Sequence, residues 1–299
     1  MKIIIFGSGA IGSLFGALLS MNNDVLLLGR KSHINAIKNN GLTIKGKTNF
    51  NVKINAESSF ENITFSPDLL ILTVKSYDTE EAIKQAKKII DKDTKILSLQ
   101  NGLDNIEKIS NHIKSEKIIA GITTHGAFFS KPGSVNHTGI GLTVLGDLNN
   151  TKTNFLETVV KLFNETGIET RVSKNISEDI WGKAIINSSI NPLTSIFQCK
   201  NGYLLENPIL EKLLENICIE STSIANNYGI EFSVDFMIKK TKDVIKNTAE
   251  NFSSMLQSLR NNKKTEIDSI NGKLAFIGKE YNVDTTLNDF LVRYIKSLL

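Results

Sequence analysis

Residues 2–6, KIIIF, form a short continuous apolar run of strand length. The segment that follows, GSGAIGSLFGALLSM, reads as a glycine turn entering a helix. A second apolar run spans 25–28 and stops at Gly29-Arg30. Residues 69–74, LLILTV, give the clearest buried strand, stopped by Lys75. Further strand-length runs occupy 95–99, stopped by QNG at 100–102, and 117–122. Helical spacing fills 78–90 and 104–113 between them. Strands alternating with helices predict a mainly parallel sheet covered on both faces.

The rhythm changes at 133–146, where glycine-rich alternation predicts a hairpin or sheet-edge excursion. A helix over 153–166 and a last strand over 168–172 complete the first part. Beyond about 175 the spacing is helical in long stretches: 178–190, 206–227, 234–257, 270–281 and 285–298. The expected fold class is therefore α/β, a doubly wound domain over 1–172 followed by an all-helical domain over 173–299. Pro192 is expected to end or kink the helix that contains it.

Composition narrows the classes. The chain has 299 residues, enough for two ordinary domains with real cores. Apolar residues make up 40% and charged residues 22%, which argues against fibrous or disordered chains. A net charge of +4 suits small anionic ligands without demanding nucleic acid, and basic patches interleaved with aromatics are missing. Two cysteines, Cys199 and Cys218, are too few for a disulfide scaffold and read as reduced intracellular thiols. No stretch of 18 apolar residues suggests a membrane span, and glycines interrupt the apolar amino terminus, unlike the core of a secretion signal. The expected location is the cytoplasm.

The glycines carry the first chemistry. Gly7, Gly9 and Gly12 fit GxGxxG between a strand and a helix. Gly7 permits the tight turn, Gly9 lets backbone approach a pyrophosphate, and Gly12 allows close helix packing. The segment Gly7, Ser8, Gly9, Ala10, Ile11 and Gly12 is thus the expected cradle of a dinucleotide, with helix-start amides meeting the phosphates. After the second strand, an acidic residue would take the ribose hydroxyls of NAD; this chain has Arg30. A guanidinium there can fork onto the 2′-phosphate of NADP, although a solvated basic pair would give the same residues.

Ligands of open parallel sheets bind at the carboxyl ends of strands, where Lys75 and Asn101 stand. A solvated edge and an ordinary Asn-Gly turn are the plain alternatives. In the helical part, EDIWGKAIINSSINPL places Lys183, Asn187 and Asn191 four apart on one helix face. Asparagine is a poor interior helix former, so the stripe is either partly buried for a purpose or a solvent-facing stripe of an Asn-rich chain. Glu266 opens another helical segment, as electrostatic decoration or as the partner of an ammonium or a substrate hydroxyl. No Cys, His and acid spacing resembles a metal site.

Taken together, GSGAIGS, LGR around Arg30, TVKSYD, QNGLDN, THGAFFSKPGSVNHTGIG, IWGKAIINSSINPLTS and SSMLQSLRNNKKTEIDSINGK resemble the ketopantoate reductase (2-dehydropantoate 2-reductase) family. The motifs run in family order and span nearly the whole chain. The resemblance implies a Rossmann-like nucleotide domain, a helical domain like the carboxyl-terminal domain of 6-phosphogluconate dehydrogenase, and NADPH as cofactor. It implies reduction of 2-dehydropantoate to (R)-pantoate in pantothenate and coenzyme A biosynthesis. Lys183 would be the catalytic lysine and Glu266 its partner. Asn101, Asn187, Asn191 and Ser254 would contact the substrate, and the glycine cradle, Arg30, Lys75 and Asn101 the cofactor. Ser258 departs from the family's usual Asp and is expected to support its loop.

In such a reaction an ammonium stabilises the developing alkoxide and then donates a proton. Burial lowers a lysine's value from about 10.4 and a nearby carboxylate raises it, a balance the sequence leaves open. One rival is a D-2-hydroxyacid dehydrogenase of the same family that reduces branched 2-keto acids with NADH. Another is a nucleotide-binding regulator without catalysis. The expected partner is a small 2-keto acid rather than nucleic acid or membrane; a homodimer and a monomer both fit.

Overall fold

Ile3 and Ile5 point to one side of the first strand and Ile4 to the other, and all three are fully buried. That two-sided burial requires a sheet covered on both faces, which the computed structural model, describing residues 1–298, contains. Strands β1 (Lys2–Phe6) and β2 (Asp24–Leu28) enclose helix α1 (Ala10–Leu19), and α2 (Lys31–Asn40) follows. Next come β3 (Leu42–Gly46), β4 (Phe50–Val52), β5 (Asn55–Glu57), β6 (Leu69–Leu72), α3 (Thr79–Ala86), β7 (Lys95–Ser98) and α4 (Asn105–Ser110). The series continues with β8 (Ile118–Thr123), β9 (Gly126–Lys131), β10 (Ser134–Gly139), β11 (Thr143–Asp147), α5 (Asn154–Glu165) and β12 (Thr170–Val172).

The main sheet has the order β12-β11-β8-β7-β6-β1-β2-β5. Every neighbouring pair is parallel except β8 with β11. The chain builds outward from β1 through β2 to β5, then crosses back to β6 on the other side. The crevice beside β1 and β6 is thus the switch point at which such sheets take ligands.

A second sheet, β4-β3-β10-β9, packs against α1. The expectation for 133–146 needs correction here. The hairpin is formed by β9 with β10, turning at Gly133 (φ 78°), while β11 leaves it and pairs with β8. Two other boundaries also differ: β6 stops at Leu72, short of Thr73-Val74, and α3 ends at Ala86.

The helical part comprises α6 (Ile176–Ile196), α7 (Tyr203–Glu206), α8 (Pro208–Tyr228), α9 (Val234–Asn247), α10 (Ser254–Arg260), a π-helical turn Asp268–Gly272, α11 (Lys273–Glu280) and α12 (Thr286–Ser297). Side chains set several starts. Asn207 accepts from the amides of Ile209 and Leu210 ahead of Pro208, Ser233 from Phe236, and Ser253 from Leu256. The Ser253 cap is why the expected 234–257 helix is two helices. Pro192 does not end α6, which continues one turn beyond it to Ile196.

The chain divides into two units: Met1–Gln100 with Asn105–Ile176, and Asn101–Asp104 with the residues from Ser177 onward. The short segment Asn101–Asp104 therefore groups with the helices, and its Leu103 packs on their core. No helix among the described residues is long and apolar enough to cross a membrane.

Buried histidines knit the sheet unit together. His33 Nδ1 accepts the Gly133 amide at 2.9 Å, so Nε2 carries the proton and donates to Ser13 Oγ at 3.0 Å. His125 Nδ1 and His137 Nε2 lie 3.2 Å apart, and His137 Nδ1 meets Thr48 Oγ1 at 2.8 Å. Burial lowers both His33 and His125 to about 4, the neighbouring His137 adding to the effect on His125. The unfolded chain, with imidazoles near 6.5, binds more protons than the folded one between these values. Folding free energy should therefore decline as pH falls from about 6.5 toward 4, by up to about 1.4 kcal/mol per pH unit per histidine. Urea midpoints measured across this range should show the slope, and His33→Gln should flatten it.

Candidate active site

The nucleotide loop is shaped by what its own backbone must do. Gly7 has φ 112°, and a Cβ there would strike the Thr73-Val74 backbone. Its amide and that of Ser8 both donate to Leu28 O, at 3.0 and 3.2 Å, and Gly9 N donates to Gly7 O at 2.6 Å. The amides of Gly7, Ser8 and Gly9 are thus used inside the loop. The donors left for an anion are in the first turn of α1, at Ala10, Ile11 and Gly12, whose amides have no intrahelical acceptor. A Cβ on Gly9 would find no atom nearer than Gly7 O at 3.9 Å, so the space above it is open for a ligand. A Cβ on Gly12 would fall on Gly7 O and Thr73 Oγ1.

Thr73 is a loop residue that the motif does not reveal. Its hydroxyl reaches Gly7 O at 2.8 Å, tying the end of β6 to the glycine turn. Ser8 is buried, with its hydroxyl where a Cβ of Gly29 would lie. Arg30 is exposed at the cap position of α2. Beside the end of β2 stands Glu57 of β5, which pairs in register with Leu28. Lys38 holds it at 2.7 Å and Asn62 at 3.0 Å, and these bonds lower its pKa. That end of the strand therefore presents a free guanidinium-bearing side chain and a carboxylate already engaged in an ion pair. Such a surface fits a phosphorylated ribose. Lys75 is half-buried directly after the β6 segment.

In the helical unit, α6 carries Lys183, Asn187 and Asn191, with Lys183 and Asn187 half-buried and Asn191 buried. The helix is otherwise interior: Trp181, Ile185, Ile186, Ile190 and Leu193 enter the core. Its hydroxyls satisfy themselves by bonding back along the helix, Ser188 and Ser189 to Ile185 O and Ser195 to Asn191 O. The solvent-facing reading of the stripe does not hold. Burial lowers Lys183 to about 8, and the charge of Glu266 works in the opposite direction. Glu266 itself is buried, so it is not surface decoration.

The remaining expected residues are tied to these two by their neighbours. Ser269, three residues after Glu266, accepts the Leu103 amide on its carbonyl at 2.9 Å, and its hydroxyl lies 3.2 Å from Asp104 Oδ2. The segment bearing Asn101 is thereby fixed to the segment bearing Glu266. Ser253 Oγ lies 2.7 Å from Thr194 Oγ1, joining the start of α10, where Ser254 is exposed, to the turn of α6 after Asn191. Ser258 Oγ donates to Ser254 O at 3.0 Å, bonding back along α10 rather than reaching into the loop beyond it. The helical unit thus gathers Asn101, Lys183, Asn187, Asn191, Ser254 and Glu266, and the sheet unit gathers the glycine loop, Arg30 and Lys75.

The model of the family "Ketopantoate reductase PanE/ApbA" matches residues 3–150, and that of its carboxyl-terminal part matches 175–298. A 2-dehydropantoate 2-reductase from Pyrococcus abyssi is 43% identical over 297 residues, covering 99% of this chain and 97% of that protein. One from Archaeoglobus fulgidus is 33% identical, with 99% and 97% covered. Among solved structures, D-mandelate dehydrogenase with NADH and anilino(oxo)acetate superposes with a TM-score of 0.95 at 30% identity, covering 100% and 98%. The 2-dehydropantoate 2-reductase of Geobacter metallireducens gives 0.94 at 25% identity, with both chains fully covered.

Filling the contact beneath the glycine turn should be costly. Gly12→Ala must displace Gly7 O or Thr73 Oγ1, at about 1–3 kcal/mol. Its dissociation constant for NADPH, read by fluorescence titration, should rise by about tenfold or more.

Proposed function

The chain belongs to the ketopantoate reductase family, and on that premise we propose that Lys183 is the proton donor of its reaction and Glu266 the residue that orients it. The reaction is the NADPH-dependent reduction of 2-dehydropantoate to pantoate, a step of pantothenate and coenzyme A biosynthesis. The chain is an oxidoreductase acting between a keto and a CH–OH group.

The observation that carries the assignment of roles is the single face of α6 that bears Lys183, Asn187 and Asn191 in the same unit as buried Glu266, with burial lowering the lysine to about 8 and the carboxylate's charge opposing that shift. An ammonium at that value is still largely protonated at neutral pH, yet it gives its proton up far more readily than a free lysine near 10.4. Bound NADPH supplies hydride to the carbonyl carbon. Lys183 stabilises the charge that grows on the carbonyl oxygen and then protonates it. Glu266 restores part of the ammonium's affinity for its proton and accepts from a substrate hydroxyl. Asn187 and Asn191 grip substrate oxygens from the same helix face without adding charge, and Ser254 and Asn101 complete the substrate's hydrogen bonds. In the sheet unit the first amides of α1 would hold the pyrophosphate, Gly9 would leave room for it, and Arg30 with Lys75 would take the nucleotide's remaining phosphate charge. The enzyme acts in the cytoplasm on a small 2-keto acid, as a monomer or a homodimer.

The likeness to D-mandelate dehydrogenase favours one second reading, a D-2-hydroxyacid dehydrogenase using NADH on other 2-keto acids. Exposed Arg30 and the occupied Glu57 weigh against it.

Two experiments test these readings. Lys183→Ala at saturating NADPH should lower kcat by about 10²–10⁴-fold, and wild-type kcat should fall tenfold per pH unit above about 8 as the ammonium is lost. Near-normal turnover in the variant would end the assignment. Initial rates with 2-dehydropantoate and 2-ketoisovalerate, each with NADPH and NADH, should favour the first of each pair. Arg30→Ala should raise KM for NADPH by about tenfold or more while leaving that for NADH nearly unchanged.

A further inference from the structure

A regular helix bonds the amide of each residue to the carbonyl four positions earlier, so Ser188 O would receive the amide of residue 192. That residue is Pro192, which has no N–H. The carbonyl is left open on a helix turn where Ser188 and Ser189 are fully buried. Its donor is Asn271, whose Nδ2 lies 3.1 Å from Ser188 O. The amide's second N–H reaches Asn288 Oδ1 at 2.9 Å.

These bonds belong to a closed ring. Asn288 Nδ2 donates to Glu220 Oε1 at 2.7 Å and to Ser221 Oγ at 3.2 Å. Ser221 Oγ lies 3.0 Å from Ser188 Oγ, which gives its own proton to Ile185 O. Only one set of directions satisfies the ring, because the Ser188 carbonyl and the Glu220 carboxylate can only accept. Asn271, Asn288, Ser188 and Ser221 are all fully buried. Asn271 Oδ1 has no partner, so the residue sits in the core at the expense of an unpaired oxygen and is held there by its two N–H groups.

Asn271 lies in the π-helical turn Asp268–Gly272, whose wide spacing appears in the Gly272 amide bonding Ile267 O at 2.9 Å. That turn directly follows Glu266. Its Ser269 grips the Asn101–Asp104 segment, while its Asn271 grips the α6 turn that lies between Asn187 and Asn191. Resting on the roles given above to Lys183 and Glu266, we propose that Asn271 is a positioning residue. By filling the carbonyl that Pro192 vacates, it fixes the π-helical turn to α6 and so sets Glu266 against Lys183. It does not touch substrate.

Pro192→Ala gives Ser188 O its ordinary helical donor, so it separates satisfying that carbonyl from tying the two segments together. The set to compare is Asn271→Ala, Asn271→Ser, the double variant Asn271→Ala with Pro192→Ala, Lys183→Ala, and Thr222→Ala as a buried-hydroxyl control on α8. Each is assayed for unfolding midpoint, kcat, KM and the pH dependence of kcat. In folded Asn271 variants, kcat should fall about tenfold or more with KM for NADPH unchanged. The alkaline limb should move to lower pH, because a displaced Glu266 no longer raises Lys183. The double variant should keep both changes whatever stability it regains. A double variant with wild-type kcat and limb, or Asn271 variants indistinguishable from Thr222→Ala, would overturn the proposal. Lys183→Ala with normal turnover would instead overturn the reading on which it rests, so the two failures can be told apart.

Discussion

A cation stripped of part of its water is the constraint around which the helical unit is arranged. Lys183 loses hydration on a helix whose other faces enter the core, and one carboxylate partly makes up the loss. That arrangement tolerates little movement, because the Coulomb term changes steeply over a few ångströms in a medium poorer in water. Several bonds that join the neighbouring segments use only backbone groups and short side chains: Leu103 with Ser269, Thr194 with Ser253, Asn271 with Ser188. Short side chains lose little rotamer freedom when fixed and so hold geometry at small entropic cost.

Much of this was legible along the chain, because its determinants are local. The apolar run, the glycines and the following helix of the nucleotide loop lie within the first 19 residues, and each glycine's role follows from sterics at its own position. The Lys183, Asn187, Asn191 stripe needs only the helical period to be seen. What escaped depends on partners distant in sequence. Strands β4 and β5 are three residues each and β9 is largely solvent-facing, so their pattern is too short or too polar to separate from loop. β4 and β9 become strands because β3 and β10, between them, pair across a gap of about ninety residues, and β5 because it adds to the edge of β2. Thr73 gave no signal at all, being an ordinary threonine until Gly7 O lies beside it.

Pro192 shows the same principle from the opposite side. Local rules say that a proline stops a helix, and locally they are right: one bond is missing. The helix continues because an amide 79 positions later supplies the donor, as the pairing of Asn271 with Ser188 shows. A break in local consistency answered by a distant residue marks a place where sequence and tertiary structure were settled together.

The burial of α1 bears on how the nucleotide's charges are felt. Every residue from Gly12 to Leu19 is buried, with the second sheet packed against the helix, so dissolved ions reach its dipole only at its ends and not along its length. Arg30, by contrast, stands open to the surrounding electrolyte. Mobile ions screen an exposed guanidinium far more effectively than a sheathed dipole. With Arg30 in its proposed role, raising the ionic strength weakens the grip on the ribose phosphate before that on the pyrophosphate. The preference between the two nicotinamide nucleotides becomes a property of the medium as well as of the protein, wide in dilute buffer and narrower in brine.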